Sequence, residues 1–181
     1  MSSLRYIAFL RGMNLGKRRL SMTKLKALFT GLGFRDVETF IASGNVIFST
    51  NSTDTAQLEA RISKHLESSL GYNVDTFIRT TDDVAKITRS KLFPEDGQPG
   101  TTIHVAFLED KLSAATAHQL EAIDTGYDKF RVKGHEFYWL CRGRMSDSKV
   151  WTLPTLKQLK LPNCTMRNIT SLRKLIAKHG A

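Results

Sequence analysis

The chain has 181 residues, 41% of them hydrophobic and 24% charged, a composition typical of a soluble globular protein with one large core or two small ones. No run of about 18 apolar residues occurs, which excludes a helix that crosses a membrane, and the first residues lack the apolar segment of a signal peptide. Cys141 and Cys164 fit neither a metal spacing nor a disulfide framework, so we expect a cytoplasmic location and no cofactor.

Positive charge is concentrated toward the end of the chain. The formal net charge is +10, and residues 129–181 hold 12 Lys/Arg against 2 Asp/Glu, whereas residues 1–128 hold 15 of each. An imbalance of this kind predicts a surface that binds anions. The alternative is a solvated face that only keeps the protein in solution.

Hydrophobic periodicity in the first half predicts seven elements in the order β-α-β-β-α-β-α. Ser21 and Asp54 are placed to cap the first two helices. The pair Gly44-Asn45 predicts a two-residue hairpin turn between the second and third strands. The elements are strands at 4–10, 38–42, 46–49 and 74–78, and helices that follow Ser21, Asp54 and Thr81 or Asp82.

Residues 93–100 contain two prolines, two glycines and two acids, a pattern that predicts a linker. After it the same order of seven elements begins again, with Gly134-His135 as a second turn that starts with glycine. The elements are strands at 103–108, 130–132, 137–141 and 165–167, and helices that begin near Ser113, Pro154 and Asn168.

The repeat predicts an α+β fold of two tandem ferredoxin-like subdomains, each β-α-β-β-α-β with a C-terminal helix. Residues 1–92 form the first subdomain, 93–100 the linker and 101–181 the second, which carries the basic surplus. In such a unit the helices cover one face of the sheet. The other face is therefore solvated, binds a ligand, or packs against another sheet.

The loop 11–20 follows a strand and precedes a helix, the position at which phosphate-binding loops occur. Its glycines are one residue too close for a nucleotide-binding P-loop, and Arg18 stands where Ser or Thr would bind magnesium. Two interpretations stay open: an anion-binding nest, or a flexible basic connection. The residues that would bind an anion here are Arg11, Asn14, Lys17, Arg18 and Arg19.

Further cations form a second candidate site near the C-terminus. Arg142 and Arg144 flank a glycine in a loop, where guanidinium groups can approach phosphates. The other members of the group are Lys149, Lys157, Lys160, Arg167, Arg173, Lys174 and Lys178. Lysines 174 and 178 share one helix face, for which a solvated surface is the better interpretation. The aromatic strand Phe137-Tyr138-Trp139 resembles the base-stacking strand of RNA-recognition motifs, but we favour a core role for it.

Two motifs near the ends of the chain, YIAFLRGMNLG at 6–16 and TMRNITSLRKL at 165–175, resemble those of a bacterial family of domains of unknown function. Residues 21–25 and 41–48 match the same family. The resemblance implies a compact bacterial α+β protein and implies no activity. The family commonly has Ile in place of Met13 and often Trp in place of Ile169. The motif positions are Arg11, Gly12, Asn14, Ser43, Gly44, Asn45, Thr165, Arg167, Asn168 and Lys174.

Two functions follow as hypotheses, and a protein-interaction or regulatory role is the third possibility. The first is a non-catalytic protein that binds nucleic acid or another polyanion through its basic C-terminal region. In this hypothesis the loop residues Arg11, Lys17, Arg18 and Arg19 contribute to the same binding. The second binds a small phosphorylated or carboxylated ligand, with or without catalysis, between the two halves at Arg11, Asn14, Arg167 and Asn168. Under the simpler interpretation Asn168 is only a helix cap. No catalytic motif is present, so enzymatic activity stays undecided.

Overall fold

A computed structural model of the protein describes residues 3–13, 19–41 and 44–180. The element order β-α-β-β-α-β-α occurs twice, as the repeat predicted, and the fold is α+β with two four-stranded antiparallel sheets. The first set is β1 Leu4–Arg11, α1 Met22–Gly31, β2 Arg35–Phe40, β3 Asn45–Thr50, α2 Thr55–Leu70, β4 Asp75–Thr80 and α3 Thr81–Arg89. The second set is β5 Thr101–Leu108, α4 Ala114–Glu121, β6 Asp128–Lys133, β7 Glu136–Arg142, α5 Pro154–Gln158, β8 Cys164–Asn168 and α6 Ile169–His179, with short 3-10 turns at Met145–Asp147 and Val150–Thr152 before α5.

The chain divides into two compact units. Unit 1 comprises Met1–Lys86 and Leu175–Ala181, and unit 2 comprises Ile87–Lys174. The boundaries of the units fall inside α3 and inside α6. The predicted linker 93–100 lies within unit 2, where the Phe93 side chain is buried. That residues 1–92 and 101–181 are separate folding domains stays a prediction.

In unit 1 the sheet has the order β2-β3-β1-β4, and helices α1 and α2 cover one of its faces. Apolar side chains recur along α2 at intervals of four residues, so Leu58, Ile62 and Leu66 form one buried stripe. The stripe packs against the even-numbered positions of β1, including Tyr6 and Ala8. On the opposite face of the sheet Ile7, Phe9, Ile47 and Phe77 are also buried.

Two of the three N-caps predicted in the first half are confirmed, whereas the prediction that Thr81 or Asp82 caps α3 is wrong, because α3 begins at Thr81 and the Thr80 hydroxyl accepts from the Asp83 N–H at 3.1 Å. The Ser21 hydroxyl accepts a hydrogen bond from the Lys24 backbone N–H at 3.2 Å, and the Asp54 carboxylate accepts one from the Gln57 N–H at 2.9 Å. These bonds satisfy amide groups that have no partner inside the helix. Gly71 then ends α2 in the left-handed conformation.

Of the two predicted hairpin turns, one is confirmed and the other is wrong. Gly134-His135 joins β6 to β7 with Lys133 opposite Glu136, which confirms the two-residue turn. The prediction of a two-residue turn at Gly44-Asn45 is wrong, because Asn45 is already the first residue of β3 and pairs with Phe40. The connection therefore runs from Ile41 to Gly44, and its residues 42 and 43 lie outside the described residues.

The sheet of unit 2 has the order β6-β7-β5-β8. Its helix-covered face carries Phe130, Phe137 and Trp139, which pack with Leu120 of α4 and Leu156 of α5. On the other face Val105, Phe107 and Tyr138 are equally buried. Strand 137–139 is therefore core, since each of its three aromatic side chains is at most 1% exposed. Across the described ranges, no helix is both long and apolar enough to cross a membrane.

We predict that Leu66→Ala lowers the free energy of unfolding by about 2–5 kcal/mol, because removing a fully buried side chain loses its transfer free energy and leaves a cavity. Urea unfolding followed by circular dichroism measures the change. The neighbouring exposed position provides the control, Glu67→Ala, for which we expect a change within about 0.5 kcal/mol. Equal effects of the two substitutions would show that α2 does not pack through this stripe.

Candidate functional site

The loop after β1 is only partly described. Arg11 is exposed at the end of β1, opposite Asp75 of β4, and Arg19 is exposed before α1. Gly12 has a φ of 88°, and a Cβ atom there would lie 3.3 Å from the Asn73 carbonyl oxygen. Glycine is therefore required by the backbone at this point. Asn14, Lys17 and Arg18 lie outside the described residues, so the anion nest stays a prediction.

The motif around Gly44 and Asn45 serves the fold of unit 1. Gly44 has a φ of 76°, and a Cβ atom would lie 3.2 Å from the Cβ of Leu10. The Asn45 side chain is 3% exposed, and its Nδ2 donates to the Phe40 carbonyl at 3.0 Å across the connection between β2 and β3. Ser43 lies outside the described residues. Asn45 therefore stabilises the connection rather than presenting its amide to solvent.

Arg167 lies on β8 with its side chain largely buried. Its Nη1 donates to the Thr165 hydroxyl at 2.8 Å and to the Met166 carbonyl at 2.9 Å. Burial disfavours the charged form of the guanidinium and lowers the pKa of Arg167 to about 10. These bonds hold the guanidinium against its own strand.

Asn168 is the last residue of β8, and its Oδ1 accepts a hydrogen bond from the Thr170 backbone N–H at 2.8 Å. That geometry is an N-cap of α6, as one of the two interpretations predicted. The prediction that Arg167 and Asn168 act together with Arg11 and Asn14 involves both units and stays a prediction.

Two acids of the predicted linker pair with Lys129 and with two arginines that the sequence suggested as anion-binding, Arg142 and Arg173. The Glu95 carboxylate lies 2.6 Å from Arg142 Nη2 and 3.1 Å from Lys129 Nζ. Asp96 pairs with both terminal nitrogens of Arg173. Arg142 also donates to the Gly126 carbonyl at 2.7 Å. Arg142 therefore belongs to an internal ion-pair network of unit 2 and is not freely available to a ligand.

Other cations of unit 2 remain exposed. We name residues 144–160 the basic segment, which contains four Lys/Arg and one acid, Asp147. All four cations are exposed, and none forms an ion pair with a described residue. Outside the segment, Lys174 on α6 is also exposed and forms no ion pair with a described residue. The four are Arg144, Lys149, Lys157 and Lys160.

Hydrogen bonds hold the backbone of the basic segment. The Arg144 carbonyl accepts from the Tyr127 hydroxyl at 3.1 Å, and the Lys149 carbonyl accepts from the Thr152 N–H at 2.9 Å. Asp128 is 2% exposed, and one of its oxygens accepts from the Ser148 hydroxyl and from the Trp139 indole N–H, both at 2.7 Å. The cations therefore project from a backbone that hydrogen bonds hold in place, and this lowers the conformational entropy that the segment loses when it binds a ligand.

Part of the basic segment lines a cleft of about 600 Å³ between α4 and α5 of unit 2. Ile123, Leu153 and Leu159 supply its apolar part. A smaller cavity of about 320 Å³ shares Leu153 with the cleft and is also lined by Lys149. No pattern in the sequence indicated this cleft, because the residues that line it are common types at ordinary helix spacings. Within the three described ranges, no three His, Cys, Asp or Glu side chains come together to hold a metal ion.

The positive surplus is shared equally when it is counted by compact unit. Unit 2 contains 14 Lys/Arg and 9 Asp/Glu, and unit 1 contains 13 and 8, so each has a net charge of +5. Along the sequence the excess of positive charge lies in residues 129–181, but unit 2 also includes residues 87–128. These residues contribute seven acids and three cations, so unit 2 has no larger excess of positive charge than unit 1. The basic segment itself has a net charge of +3.

Comparison with known proteins places the chain in a family. The model of the family described as "Protein of unknown function (DUF1697)" matches residues 4–138. The chain belongs to this DUF1697 family. This confirms the resemblance inferred from the motifs. No curated protein matches the chain.

A solved structure shares the fold of this DUF1697 member. It is described as the structure of conserved bacterial protein SP0830 from Streptococcus pneumoniae. The two chains are 18% identical, the similarity covers 98% of each, and the TM-score is 0.75. At this identity the similarity establishes the fold.

We predict that Asn168→Ala destabilises the protein by about 1 kcal/mol, because the Thr170 N–H loses its acceptor. The variant Asn168→Asp keeps an oxygen acceptor and should cost no more than a few tenths of a kcal/mol. Urea unfolding of both variants measures the difference. An alanine variant as stable as the aspartate variant would contradict the cap.

We predict a stability loss in acid that depends on Glu95. The hydrogen bond from Lys129, the residue's own backbone N–H and the charge of Arg142 hold the pKa of Glu95 below its ordinary value. A carboxyl with a depressed pKa stabilises the fold above its unfolded pKa, about 4.3, and this contribution is lost as the pH falls through the lower folded value. Between about pH 5 and pH 3 the melting temperature of Glu95→Gln should therefore fall less than that of the wild type. Parallel profiles of the two proteins would contradict the ion pair.

Proposed function

We propose that the protein binds the phosphate backbone of nucleic acid, without catalysis, through the four exposed cations of the basic segment. One observation carries the proposal. Four exposed Lys/Arg side chains stand against a single carboxylate within residues 144–160, and none of the four pairs with a described residue. Cations that approach phosphates release condensed counterions, which drives binding at low salt.

The ion pairs of residues 93–100 support a smaller interface than the sequence suggested. Arg142 is occupied by Glu95 and Arg173 by Asp96, and Arg167 is buried against its own strand. The proposed contact therefore consists of Arg144, Lys149, Lys157 and Lys160. Exposed Lys174 and, in unit 1, exposed Arg11 and Arg19 add to the attractive potential around the protein.

The burial of the aromatic strand indicates which part of the nucleic acid is recognised. Phe137, Tyr138 and Trp139 are core residues and offer no stacking platform for bases. Phosphate contact by Lys and Arg carries no sequence information by itself. We therefore infer binding to the backbone with little sequence preference.

The setting of this function is part of the proposal. We infer that each unit follows the ferredoxin-like pattern, because the sheet orders β2-β3-β1-β4 and β6-β7-β5-β8 repeat one arrangement of strands. We also infer that the protein acts in the bacterial cytoplasm, since nucleic acid is present there and the similar SP0830 is described as a conserved bacterial protein.

The alternative, a small anionic ligand held at Arg167 and Asn168, is less well supported because both side chains already bind their own backbone surroundings.

A fluorescence-anisotropy titration of a labelled DNA duplex tests the proposal. Four phosphate contacts predict a slope of about −3 to −4 for log K against log salt concentration, a loss of roughly a hundredfold between about 50 and 200 mM salt. Replacing the four cations by glutamine should bring the slope close to zero. The substitutions are Arg144→Gln, Lys149→Gln, Lys157→Gln and Lys160→Gln.

A control with the same change in net charge separates the proposed contact from general attraction. Four exposed lysines elsewhere, none in an ion pair with a described residue, are replaced by glutamine and should leave the slope within about one unit of wild type. These substitutions are Lys24→Gln, Lys26→Gln, Lys64→Gln and Lys111→Gln. Equal losses in both fourfold variants, or no duplex binding by the wild type at low salt, would overturn the proposal.

A further inference from the structure

The cleft between α4 and α5 has the size and the lining of a small-molecule site. Its volume of about 600 Å³ falls within the range of roughly 300–1,000 Å³ found for such sites. All the residues that line it belong to unit 2. It is lined both by aliphatic side chains and by polar side chains, three of which form no hydrogen bond with a described residue.

The polar groups are supplied by both helices. Gln119 lies on α4, and Thr155 and Gln158 lie on α5. Each of the three side chains is exposed, and none forms a hydrogen bond with a described residue. Two carboxamides and a hydroxyl offer both donors and acceptors, and the exposed His118 side chain of α4 also lines the cleft.

Apolar side chains form the rest of the cleft. Ile123, Leu153 and Leu159 line it, and each is partly buried against the core of unit 2. Their carbon atoms can cover the face of a planar ring, and the gain comes from removing apolar surface from water. The ligand therefore needs an apolar face and a polar edge.

The single carboxylate of the cleft is already engaged. Asp124 Oδ1 accepts from the Gly126 N–H at 2.8 Å, and its Oδ2 lies 4.0 Å from Lys129 Nζ. The cleft therefore has no free acid that would require a cationic ligand. The adjoining cavity is lined by Lys149 of the basic segment, which places a cation beside the cleft.

From these observations we propose that the cleft binds one unpaired nucleobase, with Gln119 and Gln158 contacting its polar edge and the aliphatic side chains covering its ring. Carboxamides match the paired donor and acceptor of a base edge. The lining by itself favours a ligand with an apolar face and a polar edge, and the assignment to nucleobases rests on the proposed function. A nucleoside free in solution and a base within a strand present the same chemistry.

Nuclear magnetic resonance with free nucleosides tests the cleft independently of phosphate contacts. Adenosine, guanosine, cytidine and uridine are titrated while the side-chain amide signals of Gln119 and Gln158 are followed. We expect saturable shifts with at least one nucleoside, and the same affinity at low and high salt because a nucleoside carries no charge. No shift with any of the four nucleosides would overturn the proposal.

Variants then show whether the shifts report binding through the polar edge. Gln119→Ala with Gln158→Ala, followed by the backbone amide signals of the cleft residues, should weaken binding about tenfold, the expected effect of two lost hydrogen bonds. The control replaces two exposed glutamines elsewhere, Gln57→Ala with Gln98→Ala, and should bind as wild type. Leu159→Trp fills the cleft and should abolish the shifts. Wild-type affinity in both cleft variants would overturn the proposal.

Oligonucleotides distinguish a base within a strand from a free nucleoside. If the cleft reads a base in a strand, a single-stranded oligomer should bind more tightly than the same oligomer without bases, and the double alanine variant should remove the difference. If only free nucleosides bind, the cleft is a nucleoside site. If nucleosides shift the amide signals but no duplex binds, only the proposed function is refuted. If a duplex binds but no nucleoside shifts the signals, only the proposal that the cleft binds a nucleobase is refuted.

Discussion

The arrangement of unit 2 depends on one buried carboxylate. Asp128 opens β6 and accepts hydrogen bonds from the Trp139 indole of β7, from the Ser148 hydroxyl and, on its other oxygen, from the Thr125 hydroxyl at 3.0 Å. A carboxylate at 2% exposure is tolerated only when its oxygens are satisfied in this way. The bonds join the sheet, the start of the basic segment and the loop at the edge of the cleft. Both candidate binding surfaces are therefore positioned by the same residue.

A second constraint decides which cations reach solvent. Glu95 and Asp96 come from a stretch rich in proline and glycine, and they pair with Arg142, Lys129 and Arg173. Charge-assisted bonds of this kind fix a guanidinium in one orientation. The available positive charge therefore lies on the basic segment and not on every arginine of the C-terminal region. A pairing between residues 95 and 142 is invisible to any local pattern, since 46 residues separate the partners.

Several motif residues that suggested binding have structural roles. Asn168 caps α6, Asn45 closes the connection between β2 and β3, and Gly12 and Gly44 adopt positive φ angles at close approaches of the backbone. The cleft, by contrast, contains no motif residue and no unusual spacing. Structural demands on caps and turns therefore account for much of the motif, while the residues proposed to contact a ligand are of common types.

The sequence by itself determined the order of the elements, most of the caps and the turn at Gly134-His135, because these depend on contacts within a few residues. It also predicted the family, which the family model that matches residues 4–138 confirms. Tertiary structure alone decided the four-residue connection before Asn45, the burial of Arg167, the pairing of residues 93–100 with distant cations, and the cleft. Each of these arises where segments far apart in the chain meet, and the free energy of such contacts depends on burial and geometry that no local pattern encodes.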